Sequence, residues 1–118
     1  MANEISASAT LTVSKNGVTT SQSASQAFDQ TGNTTYEAVV SVSTTAAAIS
    51  FGAISGAPSA VLLRNLDSTN FLKYGPSNPP TEFTLRPGRV ALFEPASATQ
   101  YWKADTASVK ALIKAVES

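Results

Sequence analysis

The chain contains no cysteine and no histidine. Without thiols it can form no disulfide and offers no thiolate metal site. Without imidazole it lacks the commonest general base and the commonest transition-metal ligand. Charge is scarce as well: 14% of the residues are charged, against roughly 25% in a typical soluble domain. Eight cations balance eight anions, for a formal net charge of +0. No excess of Lys and Arg is concentrated enough to hold a polyanion, so nucleic acid is not an expected partner. Near-zero net charge favours association, which points to life inside an assembly and to a homo-oligomer. No apolar run approaches the ~20 residues of a membrane helix. Met1-Ala2-Asn3-Glu4 lacks a basic n-region, and no apolar stretch follows it. The expectation is a soluble protein synthesised in the cytoplasm, with no membrane partner.

What is present is a β-forming pattern. A chain of 118 residues with 42% hydrophobic content is the size of one domain with a modest core. Residues 1–60 carry only Glu4, Lys15, Asp29 and Glu37 as charges among many Ser and Thr; the remaining charges and most large apolar residues follow. Ile5, Ala7, Ala9, Leu11 and Val13 alternate with hydroxyl residues, which predicts a strand with one apolar and one hydroxyl face. Asn16-Gly17 is a strong hairpin signal, with Val18–Phe28 as the expected partner despite its sparse apolar positions. The alternative for residues 1–30 is a disordered or partner-ordered extended arm, with Ile5, Leu11 and Val13 as anchors. Tyr36–Ser43 alternates, with Ala38, Val40 and Val42 on one side, and Ile49 with Phe51 suggests another short strand.

The densest signal is Ser59 to Gly75, SAVLLRNLDSTNFLKYG. Apolar runs at Ala60–Leu66 and Phe71–Tyr74 flank Asp67, Ser68, Thr69 and Asn70, which reads as a β-hairpin. A second unit follows, Glu82–Leu85 and Val90–Glu94 around Arg86-Pro87-Gly88-Arg89. Pro87 presets φ and Gly88 tolerates φ > 0, which is turn chemistry. Ser77-Asn78-Pro79-Pro80 separates the two and cannot be a central strand, because proline donates no ladder hydrogen bond. Near the C-terminus, Val109, Leu112, Ile113 and Val116 fit helical spacing, while Val109, Ala111 and Ile113 fit a strand face. The preceding strand Tyr101–Ala104 and a tight turn at Asp105–Ser108 favour the strand. Eight to ten short strands then predict an all-β antiparallel sandwich, jelly-roll-like. Leu62, Leu66, Phe83, Leu85, Leu92 and Phe93 are the expected central core, with Tyr74, Tyr101 and Trp102 adding volume.

Chemistry-bearing patterns are few. Asn65, Asp67, Thr69 and Asn70 resemble an oxygen-ligand calcium loop but lack its carboxylate series and closing Glu. Asx bonding to the turn's own backbone accounts for them better, so Asn65, Asp67, Asn70, Pro87 and Gly88 are expected as structural turn residues. Arg64 and Asp67 are placed to pair across that turn. Glu82 and Glu94 are expected to face each other across the second hairpin, the kind of pair that serves glycoside hydrolysis, but so short a chain leaves little room for a cleft. Arg86 and Arg89 flank the Pro-Gly turn and read first as solvated turn residues, with a grip on a carboxylate of a neighbouring subunit as the alternative. Tyr101 and Trp102 suggest a sugar-stacking platform, weakened because adjacent strand residues face opposite ways. No residue is marked as catalytic, and no metal or organic cofactor is expected.

The two turn units, in this order, resemble small virion proteins of tailed bacteriophages, which carry an RNLD-TN hairpin followed by an L-PG hairpin. The resemblance covers the C-terminal half well and the N-terminal half only in texture; those proteins also end in a strand where this chain has residues 109–116. It implies a non-enzymatic structural component of a virion: a capsid decoration, head-fibre or tail protein whose partners are other virion proteins. The alternative function is a receptor- or glycan-binding sandwich module.

Overall fold

A computed structural model describes residues 4–117. Met1, Ala2 and Asn3, the first residues of the expected arm, lie outside the described residues. The described chain is all-β, with ten strands and antiparallel pairing throughout. It divides into two compact units, residues 1–31 and residues 32–118. No helix among the described residues is long and apolar enough to cross a membrane.

The first unit is a two-stranded ribbon of β1 (Ile5–Lys15) and β2 (Val18–Phe28). Asn16 and Gly17 hold φ of 53° and 79°, the two positive values that a type I′ hairpin turn requires. All eleven residues of each strand are paired, from Lys15 opposite Val18 to Ile5 opposite Phe28. The sparse apolar content of Val18–Phe28 therefore does not prevent pairing, because backbone hydrogen bonds and the Asn-Gly turn set the register. At its open end the Glu4 carboxylate accepts the Gln30 N–H at 2.9 Å.

The second unit is a sandwich of two four-stranded sheets. One has the order β3 (Thr35–Val42), β10 (Val109–Val116), β5 (Ala60–Asn65), β8 (Val90–Phe93). The other has the order β4 (Ala47–Ala48), β9 (Tyr101–Ala104), β6 (Leu72–Gly75), β7 (Phe83–Leu85). Inward residues of both sheets form one buried cluster that includes Val61, Leu63, Leu72, Trp102 and Ile113. The strand at 109–116 is present, with Val109, Ala111 and Ile113 buried and Lys110 and Lys114 exposed. It is also the most extensively paired, lying between β3 and β5.

Several expectations are corrected. Ala60–Gly75 and Glu82–Glu94 are not hairpins: β5 and β6 lie in different sheets, as do β7 and β8. Each turn carries the chain across the sandwich instead. The hairpin in this region is β6–β7, with Tyr74 opposite Phe83, and its connection contains the Asn78–Pro79 cis bond. Ile49 and Phe51 are buried, but the strand beside them is Ala47–Ala48. In the core list, Leu85 is buried, Phe93 is partly buried against the cluster and Leu62 is half-buried. Leu66, Phe83 and Leu92 are exposed. Strand parity explains the aliphatic misses. Val61, Leu63 and Asn65 face inward from β5, so Leu62 and Leu66 point out, and inward Ala91 and Phe93 leave Leu92 outside.

Candidate interaction surfaces

The two turn motifs meet at one side chain. Asn65 ends β5 with 0% of its surface exposed. Its Nδ2 donates to the carbonyls of Asn70 at 2.9 Å and Leu85 at 3.0 Å, and its Oδ1 accepts the Asp67 N–H at 2.9 Å. Its backbone N–H donates to the Arg89 carbonyl at 3.0 Å, and its carbonyl accepts the Gly88 N–H at 2.9 Å. One buried amide thus links the RNLD turn, the start of β6, the end of β7 and the Pro-Gly turn. A buried amide is tolerated because its polar atoms are satisfied. The Arg89 N–H closes its own turn on the Arg86 carbonyl at 3.0 Å, and Gly88 holds φ 75°, as a glycine at the third turn position allows. The structure therefore brings together Asn65, Asp67, Asn70, Pro87 and Gly88, which the sequence had assigned to two separate turns.

Asp67 caps the first turn. Its Oδ2 accepts the N–H groups of Thr69 at 2.9 Å and Asn70 at 2.6 Å. The Asn70 amide first, and the Thr69 amide after it, hold this carboxyl below its ordinary value. Oxygens that a calcium loop would aim at a cation are aimed here at backbone amides. Arg64 and Asp67 form no ion pair among the described residues; the ion pair seen is Lys114 with Glu37 at 4.0 Å, both exposed. The Arg86 guanidinium lies over the Phe71 ring at 5.9 Å from its centroid, a stacking contact within this chain.

Two further carboxylates tie loops. Glu117 Oε1 accepts the Ser55 N–H at 3.1 Å, and Oε2 accepts the N–H groups of Asn33 at 3.1 Å and Thr34 at 3.3 Å. Those bonds, the Ser55 amide foremost, hold its carboxyl below the usual value. Nothing in the sequence marked Glu117, because its partners lie far away along the chain. Glu82 accepts the Ser77 hydroxyl at 2.5 Å and the Thr81 N–H at 3.2 Å, and the Ser77 bond lowers its carboxyl most. Glu82 and Glu94 do not face each other across a hairpin, since their strands belong to different sheets.

The aromatic site also lies elsewhere than expected. Trp102 points into the core and Tyr101 out of it, so they form no joint platform. Instead Tyr74 stacks on Phe83 at 5.1 Å between centroids and packs against Phe93 at 5.4 Å. These rings line a pocket of about 430 Å³ with Glu94 and Gln100 among its polar members. Phe83 is 54% exposed on the same side of the sheet as buried Tyr74, because β7 is the edge strand there. Burial pushes the Tyr74 hydroxyl above its ordinary value.

The ribbon presents two unlike faces. Its register puts Ile5, Ala7, Ala9, Leu11 and Val13 on one face, together with Val18, Ala24 and Phe28, and sets Lys15, Thr20, Gln22 and Gln26 among them. The other face is a ladder of hydroxyls, with Thr12 bonded to Ser21 and Ser14 to Thr19, each at 3.0 Å. Of the expected anchors, Ile5 is buried, while Leu11 is 73% exposed and Val13 is exposed with it. Comparison with protein-family models, with curated proteins and with solved structures returned no match.

Proposed function

We propose that this chain is a non-enzymatic structural component of a tailed-phage virion, a capsid decoration or a head or tail accessory protein that acts through protein contacts. The observation that carries the proposal is the β1–β2 ribbon. Two 11-residue strands are ordered with Leu11, Val13 and Val18 left in solvent. Ordering costs about 1–2 kcal/mol per residue, and an isolated two-stranded hairpin is at best marginal in water. Such a ribbon gains its stability when a partner surface covers its apolar face. Lys15 is its only charged residue between Ile5 and Phe28, and Gln22 and Gln26 share that face, so the cover is apolar and hydrogen-bonding with little ionic content.

The architecture supports the same reading. We read the strand orders β3-β10-β5-β8 and β4-β9-β6-β7 as an eight-stranded jelly roll, two interlocked Greek keys. Capsid proteins and lectins both use it, so the fold alone does not choose between them. The sequence resemblance and the ribbon weigh towards the particle.

The test is deletion of residues 1–31. Residues 32–118 hold both sheets and the buried cluster, so the truncated chain is expected to fold and yet be missing from purified particles by mass spectrometry. Incorporation at normal copy number overturns the proposal. The second reading, a receptor- or glycan-binding module, rests on the Tyr74–Phe83–Phe93 pocket with Glu94 at its side. It predicts the opposite pattern: the deletion spares ligand binding, and Phe83→Ala abolishes it in a folded protein.

A further inference from the structure

The sandwich has four edge strands, and they are unequal. β4 has two residues, β7 three and β8 four, whereas β3 has eight. Short edges offer little template for pairing with another chain. Long ones are normally guarded by proline, by a bulge or by a charge pointing across the edge. β3 has none of these. Its sequence, TYEAVVSV, contains no proline, and its pairing with β10 runs one to one from Thr35 to Val42 without a bulge. Its single charge, Glu37, is already matched by Lys114 on the neighbouring strand. Alternate N–H and C=O groups of a strand point to opposite sides, so half of those on β3 face away from β10. Among the described residues no hydrogen bond is made to them. Val39, in the middle of this edge, is 58% exposed.

We infer that β3 is a homodimer interface: two copies of this chain pair antiparallel along β3, with Val39 on the two-fold axis, joining their sheets into one of eight strands. The inference stands apart from the virion reading, since it needs only a second copy. Self-complementarity excludes a register centred on Glu37, which would oppose two carboxylates, and exposed Val39 lies at mid-strand. Tyr36, Ala38, Val40 and Val42 face inward, and Glu37, Val39 and Ser41 face out. A two-fold normal to the sheet keeps each face on its own side, so inward residues must oppose inward residues. Centring on Val39 puts Ala38 opposite the second copy's Val40 and Tyr36 opposite its Val42. Glu37 then meets a Ser41 hydroxyl rather than another carboxylate. β-Branched pairs and an absence of like-charge contact are what a stable antiparallel ladder needs. The half-buried Tyr36, Ala38 and Val40, which already pack on the core, gain cover on their open side. With +0 net charge, no long-range repulsion opposes the approach.

The experiment uses the full chain in two assays. Sedimentation velocity over a hundredfold concentration range is expected to show mass rising from 12.2 kDa to about twice that. Val39→Glu places two carboxylates on the axis, while its own sheet tolerates the change because Lys110 and Lys114 lie diagonal to it. That variant is expected to remain at the monomer mass with an unchanged circular dichroism spectrum. In the second assay, Val39→Cys brings two α-carbons to about 4.5–5.5 Å, within the ~4.4–6.8 Å a disulfide accepts. Since the chain has no cysteine of its own, any oxidised dimer reports that position alone. Rapid oxidation to a covalent dimer is expected for Val39→Cys and not for Val90→Cys, on the opposite edge strand of the same sheet. A chain that stays monomeric throughout the concentration range overturns the inference. So does association that survives Val39→Glu, or equal crosslinking at Val90.

Discussion

Asn65→Ala is the sharpest test of how the two turns are held. The side chain makes three hydrogen bonds, to Asn70, Leu85 and Asp67, all at 2.9–3.0 Å and none open to water. Each buried hydrogen bond contributes roughly 0.5–1.5 kcal/mol net, and a backbone group stranded without a partner costs about 1–3 kcal/mol. Alanine strands two carbonyls and one N–H at once. Water entering the vacated space offsets part of this, so the expected loss is about 3 kcal/mol, or a fall in melting temperature of roughly 10–15 °C for a chain of this size. Urea unfolding followed by Trp102 fluorescence measures it directly, because this is the chain's one tryptophan and it is buried. Arg64→Ala, the exposed neighbour on the same strand, serves as the control and is expected to shift the midpoint within about 0.5 kcal/mol. If Asn65→Ala costs no more than Arg64→Ala, the two turns are held by their own local chemistry and the linking role assigned to Asn65 is wrong.

Core and surface should separate cleanly elsewhere. Leu63→Ala empties a fully buried site and is expected to cost about 2–5 kcal/mol, whereas Leu92→Ala, on the outer face, stays within about 1 kcal/mol; similar losses from both would refute the parity assignment of β5 and β8. Acid sensitivity follows from Asp67, Glu82 and Glu117, whose carboxyls all titrate below their ordinary 3.8 or 4.5 in the folded chain. The unfolded chain then binds more protons than the native one, so their stabilisation is complete above those values and is lost as pH falls through the lower native ones. Urea midpoints are therefore expected to be flat from pH 8 to about 5 and to drop below about 4.5, and a midpoint level down to pH 3 would contradict the assigned bonds. Glu117→Gln should shrink that acid drop. Excess EDTA is expected to leave the melting temperature unchanged, because Asp67 and Asn65 aim their oxygens at backbone amides; a marked fall would restore the calcium reading.

Sequence alone determined the class of structure and most of the strands. Alternation over Ile5–Val13 and Tyr36–Ser43 repeats every two residues, and that period belongs to extended chain whatever surrounds it. Asn16-Gly17 determined the ribbon turn, because both residues adopt positive φ at little cost. Asp67 and the Pro87-Gly88 pair were legible as turn residues because the bonds that close their turns, Asp67 to the Thr69 and Asn70 amides and Arg89 N–H to the Arg86 carbonyl, span no more than three positions. Tertiary structure decided what those turns connect. An Asx turn or a Pro-Gly turn reverses the chain equally well within a sheet or from one sheet to the other, so local chemistry could not distinguish a hairpin from a crossing. The strand partners were settled instead by non-local burial, with β10 lying between β3 and β5. The same cause hid Glu117 from the sequence, since its partners Asn33, Thr34 and Ser55 are near only in the folded chain. It also concealed the pocket, which exists because β6, β7 and β8 bring Tyr74, Phe83 and Phe93 together. Hydrophobicity named Phe83 and Leu92 as core, but only the inward face of each strand and its distance from a sheet edge determine which apolar side chains leave water.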